Sequence, residues 1–206
     1  MSRSTLTTTS FAILGLLAVQ PWSSYELTRQ MDRSLGRIWP RAQSKLYEEP
    51  KKLVDHGLAE ASDERVGLRK RTVYSITPAG RQALAAWLET PGAGPVLEFE
   101  QLLKVWFSEH GTRTAALESI AAARGWAEER NQENLAASRA YLAGSGPFQS
   151  RAAQTMLAGA FLTDFYALVA SWADWAAAVV ADWPDDPAEA VPDQAALEDI
   201  ARRAHW

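Results

Sequence analysis

Cysteine is absent from the 206-residue chain, which excludes disulfide bonds, thiolate metal sites and cysteine nucleophiles. Histidine is scarce: His56, His110 and His205 stand alone and form no H-x-x-x-H or H-E-x-x-H spacing. The sequence also lacks a G-x-x-x-x-G-K phosphate loop, a G-x-G-x-x-G turn and a G-x-S-x-G elbow. We therefore expect no metal site and no cofactor, and the sequence indicates a binding protein rather than an enzyme.

Long apolar runs without charge are also missing. The most apolar stretch, residues 161–183, contains Asp164, Asp174 and Asp182. Because a carboxylate at the centre of a bilayer is costly, this pattern favours a buried or interface helix over a membrane span. The polar first nine residues lack the apolar core of a signal peptide, and a chain without cysteine fits a reducing compartment. We expect a cytoplasmic protein.

Charge is distributed unevenly along the chain, although the formal net charge is only −4. Residues 1–90 hold 13 Lys+Arg and 9 Asp+Glu, whereas residues 91–206 hold 8 and 16. A basic first part followed by an acidic second part suggests one domain that binds a polyanion and another with a different role.

Two helices are predicted near the start of the chain. The first begins at a cap on Thr8 or Thr9 and is apolar on nearly all sides, which places it at the centre of a small domain. Ser23 and Glu26 have the S-x-x-E spacing of a capping box and open a second helix that ends near Gly36.

A third helix is predicted from residues 41–43 to a C-terminal cap at Gly57. Its inward face follows helical spacing and consists of Leu46, Pro50, Leu53 and Val54. A proline inside a helix removes a hydrogen bond and favours a kink. We therefore expect a bend at Pro50, or a helix whose regular part starts closer to it.

After Gly57 the periodicity changes to that of strands. Residues 58–64 and 69–76 are predicted to form a β-hairpin around Val66-Gly67-Leu68. Thr77 followed by Pro78 is a strong helix start.

The two prolines and two glycines in residues 91–95 then interrupt the regular structure. Beyond them, helices are predicted at about 97–109, from 112 or 114 to 142, from 148 towards 183, and from 192 or 193 onward.

The predicted fold is mainly α-helical with a small β-hairpin wing. Residues 1–90 form a winged helix-turn-helix, residues 91–95 a linker, and residues 96–206 a helical dimerisation domain with a second, effector-binding role. A helix fits the major groove of duplex DNA, and cations at a hairpin bind phosphates. The candidate DNA-binding residues lie outside the inward face of the third helix and on the wing: Arg41, Gln43, Ser44, Lys45, Tyr47, Lys51, Lys52, Arg65, Arg69, Lys70 and Arg71.

Three segments in order carry a family resemblance: Ser24-Tyr25-Glu26-Leu27, then residues 46–58 from Leu46-Tyr47-Glu48-Glu49-Pro50 to Gly57-Leu58, then residues 70–81 with Thr77-Pro78-Ala79-Gly80. Together they resemble the PadR family of transcriptional regulators, and the helical second part is similar to that of its larger subgroup. The resemblance implies a homodimer, repression that a small ligand relieves, and DNA contacts from Tyr47 and Lys51. Ser24 in place of glycine and Pro50 in place of leucine depart from the family pattern.

The acidic part of the chain holds the candidates for pairing and sensing. One small DNA-reading head covers few base pairs, so two heads on a dimer are needed for a longer site. Nine tryptophans in the chain exceed ordinary use, and Trp106, Trp172 and Trp175 are candidates to line a pocket for a small aromatic effector. These tryptophans serve equally well as large residues of a core or of a subunit interface, which is the alternative to a pocket.

A second interpretation is a winged helix that has become a protein-interaction module without sequence-specific DNA binding. The cations on the wing favour the first interpretation, because they sit at a hairpin directly after a helix-turn-helix pattern. Double-stranded DNA, a second copy of the chain and a small aromatic effector are therefore the expected partners.

Overall fold

The computed structural model describes residues 5–66 and 69–205. The chain divides into two compact units, one ending at Pro95 and the other starting at Val96. Helices dominate both, and a three-stranded antiparallel sheet lies in the first. The mainly α-helical winged fold predicted from the sequence is therefore confirmed.

The N-terminal unit contains four α-helices and three strands among its described residues. The predicted second helix runs to a cap at Gly36 but changes geometry on the way: Ser24–Gln30 is α-helical and Met31–Leu35 is a π-helical turn. The helices are α1 Thr8–Val19, α2 Ser24–Gln30, α3 Gln43–Asp55 and α4 Pro78–Leu88. The strands are β1 Trp22–Ser23, β2 Ala59–Val66 and β3 Arg69–Ile76.

The sheet has the order β1-β3-β2, with every neighbour antiparallel. The hairpin of β2 and β3 was predicted, but its first strand begins one residue later and extends two residues further than expected. The short strand β1 was missed because two residues are too few to show a strand pattern. Gly67 and Leu68, the predicted turn residues, lie outside the described residues.

A single apolar core holds this unit together. Helix α1 lies at its centre, with Ile13, Leu14 and Leu17 almost completely buried. Leu27 of α2 and Leu46 and Leu53 of α3 pack into the same cluster. The nearly uniform apolarity of α1 is therefore explained, because the helix is covered on several sides.

The helix caps agree with the predictions at most positions, and α1 is the exception. Its cap is Thr7 rather than Thr8 or Thr9, because Thr7 and Ser10 form reciprocal capping-box hydrogen bonds. The predicted box of Ser23 and Glu26 is present, and Thr77 caps α4 through the Gly80 amide. Gly57 follows α3 with a φ of 72°, the left-handed conformation that favours glycine.

Helix α3 continues through Pro50, and this differs from one of our expectations. It begins at Gln43 rather than near the proline, and Pro50 is buried with Leu46 and Leu53 on the inward face. Burial of the proline ring and of the two leucines beside it offsets the backbone hydrogen bond that proline cannot donate. The predicted inward face is confirmed.

Gly80 provides a test of the packing between α4 and the hairpin. A Cβ at this position would lie 2.1 Å from the Leu58 carbonyl oxygen and 2.8 Å from Ile76 Cγ1. We expect Gly80→Ala to lower the free energy of unfolding by about 2 kcal/mol or more, because backbone must move to accommodate the methyl group. Urea denaturation measures this loss.

Gly15 offers the matched control, because a Cβ there would meet nothing within 4 Å and the residue lies inside α1. Gly15→Ala is expected to stabilise the protein by about 0.5–1 kcal/mol through helix propensity. Equal effects of the two substitutions would contradict the described approach of Gly80 to Leu58.

The described residues of the C-terminal unit form helices joined by loops, without a strand. It contains α5 Glu100–Trp106, α6 Arg113–Leu142, α7 Ala152–Ala181 and α8 Gln194–Arg203. Helix α5 is shorter than the predicted 97–109, because residues 97–99 have no regular structure and Ser108–His110 form a separate 3-10 turn. The starts at Thr112 and Asp193 are confirmed as side-chain caps.

Helices α6 and α7 form the frame of this unit. Small residues such as Ala123, Ala127 and Ala173 are buried between them, which lets the two backbones come close. Asn134 of α6 is buried and donates from Nδ2 to Thr163 Oγ1 of α7 at 2.8 Å. A buried polar side chain with a fixed partner on the facing helix favours one register of the two helices over others.

The helical segment Gln149–Ala181 meets the length and composition expected of a membrane span. Only 22% of its most apolar window is buried, so much of this surface is open in the single chain. Length and composition alone are weak evidence for a span, since core helices and interface helices share them. Asp164 and Asp174 lie within this helix and are exposed.

Candidate nucleic-acid interface

Helix α3 presents most of the predicted DNA-binding residues to solvent. The buried side of the helix is fixed by Leu46, Pro50 and Leu53. The opposite side consists of the exposed residues Gln43, Ser44, Lys45, Tyr47, Glu48 and Lys51, with Arg41 exposed just before the helix. Helical spacing therefore brings amide, hydroxyl, phenol and ammonium groups to one surface, and such groups bind base edges and phosphates.

No side chain caps the N-terminus of α3, so its first backbone N–H groups are available to an anion. Its N-cap is Ala42, which has no side chain to accept a hydrogen bond from the first turn. The first N–H groups of a helix carry partial positive charge and commonly bind phosphate when no side chain satisfies them. Gln43 and Ser44 lie in this first turn.

Lys52 differs from the other cations of the helix. Its side chain is only 14% exposed, and its ammonium lies 3.5 Å from Glu49 Oε1. Within the described residues, Lys45 and Lys51 form no ion pair, so their charges are available to an outside partner. The structure thus separates Lys52 from the exposed lysines that the sequence grouped with it.

The wing places two cations directly opposite one another. Arg65 of β2 pairs in register with Lys70 of β3, and both side chains are exposed. Like charges at directly opposed positions of a sheet repel and destabilise it. No carboxylate in the described part of the chain forms an ion pair with either residue, so a bound anion would relieve this repulsion.

Arg71 lies on the other face of the wing and is engaged in a different way. Its guanidinium donates to Glu64 Oε2 at 2.9 Å and to Glu26 Oε1 at 3.1 Å, which links the wing to helix α2. These hydrogen bonds, with Glu64 first, raise the pKa of Arg71. The side chain of Arg69 lies outside the described part of the chain.

The two carboxylates that hold Arg71 were not identified from the sequence as part of the site. Glu26 was assigned only to the capping box, which it also forms. Glu64 could have been found from the hairpin register, because it lies directly opposite Arg71. Trp39, which stacks beneath Arg41, was also missed.

Glu26 connects this ion-pair group to stability. The backbone N–H and hydroxyl of Ser23 donate to its carboxylate, and with Arg71 they lower the pKa of Glu26. A lowered pKa means that Glu26 stabilises the fold above its unfolded pKa, and that this stability is lost as pH falls through the folded value.

We therefore expect Glu26→Gln to be less stable than the wild type at neutral pH, with a difference that closes in acid. Urea midpoints measured between about pH 7 and about pH 3 test this, since the unfolded pKa lies near 4.3. Asp32→Asn, which removes an exposed acid just beyond α2, is the control for the loss of one negative charge. A difference for Glu26→Gln that stays constant with pH would contradict the assigned role.

The three tryptophans proposed for an effector pocket lie in the C-terminal unit but form no ring contact with each other in the described structure. Trp172 is half-buried and packs edge to face on Phe99 with ring centroids 5.6 Å apart. Trp106 is 75% exposed and Trp175 is 45% exposed. The single chain thus offers large indole surfaces that nothing yet covers.

Helix α7 has a second apolar face besides the one that packs on α6. Leu162, Tyr166, Val169, Ala173 and Val180 are buried, whereas a stripe on another side of the helix is exposed. This exposed stripe consists of Leu157, Phe161, Leu168 and Trp175, which are 69, 59, 65 and 45% exposed. Spacings of four and seven residues put them on one line, as for residues that pack on a neighbouring helix.

Comparison with known proteins agrees with this arrangement. Residues 13–86 match the model of the family described as "Transcriptional regulator PadR-like family". The chain is 33% identical over 99 residues, 47% of its length, to the negative transcriptional regulator PadR of Bacillus subtilis. The match covers 54% of that regulator, so the chain spans about half the length of this curated relative.

Solved structures extend the likeness across both units. The crystal structure of Bacillus subtilis PadR in complex with operator DNA has a TM-score of 0.71 and 24% identity, covering 84% of this chain and 99% of that one. The structure of the same protein in complex with p-coumaric acid has a TM-score of 0.66 and 24% identity, and the match covers 85% of this chain and 100% of that one. At this identity the likeness shows a shared fold.

Proposed function

Because residues 13–86 belong to the PadR family of transcriptional regulators, we propose that the chain is a homodimeric repressor that binds operator DNA and responds to a small ligand. The observation that carries the proposal is the pair of directly opposed, exposed cations Arg65 and Lys70 beside the exposed face of α3. The operator complex of the Bacillus subtilis relative supports the choice of duplex DNA as partner.

In the proposed complex, α3 lies in the major groove and the wing reaches the neighbouring backbone. Gln43 and Ser44 at the start of the helix contact base edges, because N-terminal residues of a recognition helix lie deepest in the groove. Lys45, Tyr47 and Lys51 hold phosphates on either side. Arg65 and Lys70 neutralise phosphates beside the groove, which supplies affinity without sequence preference.

A second copy of the chain is the proposed occupant of the exposed stripe on α7. Four large apolar residues on one helix line favour association with another apolar surface. A dimer carries two reading heads, and half-sites one turn of duplex DNA apart are separated by about 34 Å. Asp174 lies on another side of this helix and pairs with Arg124, whereas Asp164 lies on the line of the stripe, three residues after Phe161 and four before Leu168.

The proposed effector is a small planar aromatic compound that binds in the C-terminal unit near Trp106, Trp172 or Trp175. Large exposed indoles can stack on a flat ring when a partner subunit closes the site. The p-coumaric acid complex of the Bacillus subtilis relative supports an aromatic ligand. Binding at this site would change the separation of the two DNA-reading heads and release the DNA. We propose that the regulator acts in the reducing cytoplasm.

A fluorescence titration tests the effector. Aromatic acids, p-coumaric acid among them, are added to the dimer while indole emission and DNA binding are followed together. We expect one compound to quench the emission and to lower DNA affinity over the same concentration range. Trp87→Phe, a change in the N-terminal unit, should keep the response, whereas Trp172→Phe should diminish it. Quenching without any change in DNA affinity would contradict an effector role.

The DNA-binding function is tested by fluorescence anisotropy with duplexes from the regions that flank the gene. A dimer with about six to ten phosphate contacts should lose about a thousandfold or more in affinity between about 50 and about 200 mM salt. A weak signal that does not change with salt would favour the protein-interaction module instead.

A further inference from the structure

Trp39 ties the segment before α3 to the start of α1. Its indole Nε1–H donates to Thr9 Oγ1 at 3.1 Å, and its backbone N–H donates to the Leu35 carbonyl at 2.7 Å. The ring is half-buried and packs against the core of the N-terminal unit. Both the backbone and the side chain of Trp39 are therefore fixed.

The guanidinium of Arg41 lies over this fixed ring. Its Cζ is 4.1 Å from the centre of the Trp39 ring, well inside the range of a cation–π contact. Nη1 also donates to the carbonyl of Pro40 at 2.6 Å. Two contacts thus restrain an exposed arginine, whose long side chain is otherwise free to change rotamer.

The charge of Arg41 is not used within the described part of the chain, where it forms no ion pair. Arg41 lies two residues before the first residue of α3 and borders an open cavity of about 430 Å³ together with Lys45. Glu48 and Glu49 also line this cavity, so its interior is unsuited to an anion. The exposed guanidinium at its edge is the group that can reach a phosphate.

We propose that Trp39 is a positioning residue that holds the Arg41 guanidinium ready for a phosphate beside the recognition helix. The inference rests on the proposed DNA-binding function. An arginine already stacked in its binding conformation loses less rotamer entropy when the phosphate arrives, and the N–H donors that Pro40 does not use remain for the phosphate. Trp39 thus contributes to DNA affinity without touching DNA.

A double-mutant cycle over a salt series tests this role. Arg41→Ala should weaken binding about tenfold and lower the salt slope by about one for each phosphate that it no longer neutralises. Trp39→Leu should weaken binding to a similar extent and also lower the slope, and the double variant should bind no worse than Arg41→Ala. Trp39→Phe, which keeps a ring, should restore much of the affinity.

Trp87→Leu is the matched control, because Trp87 stacks on Phe11 in the same unit at 5.1 Å and has no arginine partner in the described structure. It should lower the melting temperature and leave the salt slope unchanged. If Trp39→Leu likewise leaves the slope unchanged, or if its effect adds fully to that of Arg41→Ala, Trp39 acts only through the fold and the inference is wrong.

Two further observations separate failure of the inference from failure of the proposed function. Wild-type protein that binds no duplex DNA overturns both. Side-chain Nε–H relaxation of Arg41, measured by NMR in the DNA-free protein, should report an ordered guanidinium, and Thr9→Val should increase its mobility. An Arg41 as mobile as Arg33 in the wild type would overturn the inference even if DNA binds and even if Trp39→Leu fails to fold.

Discussion

Replacing Arg65 and Lys70 together by alanine is expected to weaken duplex DNA binding about a hundredfold at moderate salt. The two residues are exposed and directly opposed on the wing, so their charges repel in the free protein and are neutralised when phosphates lie beside them. In a dimer the change removes four cations, and the salt slope should fall by about three to four. Anisotropy over a salt series measures both quantities.

The same double substitution should leave folding intact or improve it slightly, because it removes a repulsive pair. Arg202→Ala with Arg203→Ala is the matched control: it removes two exposed arginines of α8 that pair with Asp199. This control should have little effect on DNA affinity. Equal losses for the two double variants would mean that net charge, rather than the wing, determines binding.

Introducing a carboxylate into the exposed stripe of α7 is expected to convert the proposed dimer into monomers. Phe161→Glu and Leu168→Glu each replace a large apolar side chain by a second carboxylate close to Asp164, on a surface that we propose is covered by a second copy. An unpaired charge buried at such an interface costs several kcal/mol. Sedimentation velocity should show a monomer, and DNA affinity should fall more than a hundredfold because each head then binds alone.

Val191→Glu is the control for this prediction. Val191 is also apolar and 81% exposed, but it precedes α8 and lies outside the stripe. It should stay dimeric with unchanged DNA affinity. Stripe variants that stay dimeric and bind DNA normally would show that the subunits pair through another surface.

Much of the fold could be predicted from local chemistry. The Ser23–Glu26 box, the Thr77-Pro78 start and the left-handed Gly57 each depend on neighbouring residues, so the sequence pattern specifies them directly. Pro50 was harder to interpret, because the burial that compensates for its missing hydrogen bond depends on the packing of α3 against distant parts of the chain, α1 and α2 among them. Tertiary packing of this kind is not visible in periodicity.

The candidate site likewise combines features that local sequence specifies with features that depend on contacts between distant segments. The outward face of α3 follows from helical spacing and was predicted. The roles of the wing cations depend on register, which opposes Arg65 to Lys70 and Arg71 to Glu64. Contacts between distant segments, such as Arg71 with Glu26 and Trp39 with Thr9, span 45 and 30 residues and leave no local signal.

The most direct test of the central claim is selection of bound duplexes from a random-sequence DNA library, followed by sequencing. A dimer with two reading heads predicts an enriched inverted repeat whose half-site centres lie about 10 base pairs, or a multiple of this, apart. The enrichment should disappear for the Arg65→Ala, Lys70→Ala protein. Wild-type protein that recovers no enriched sequence, or only an isolated half-site, would contradict the account.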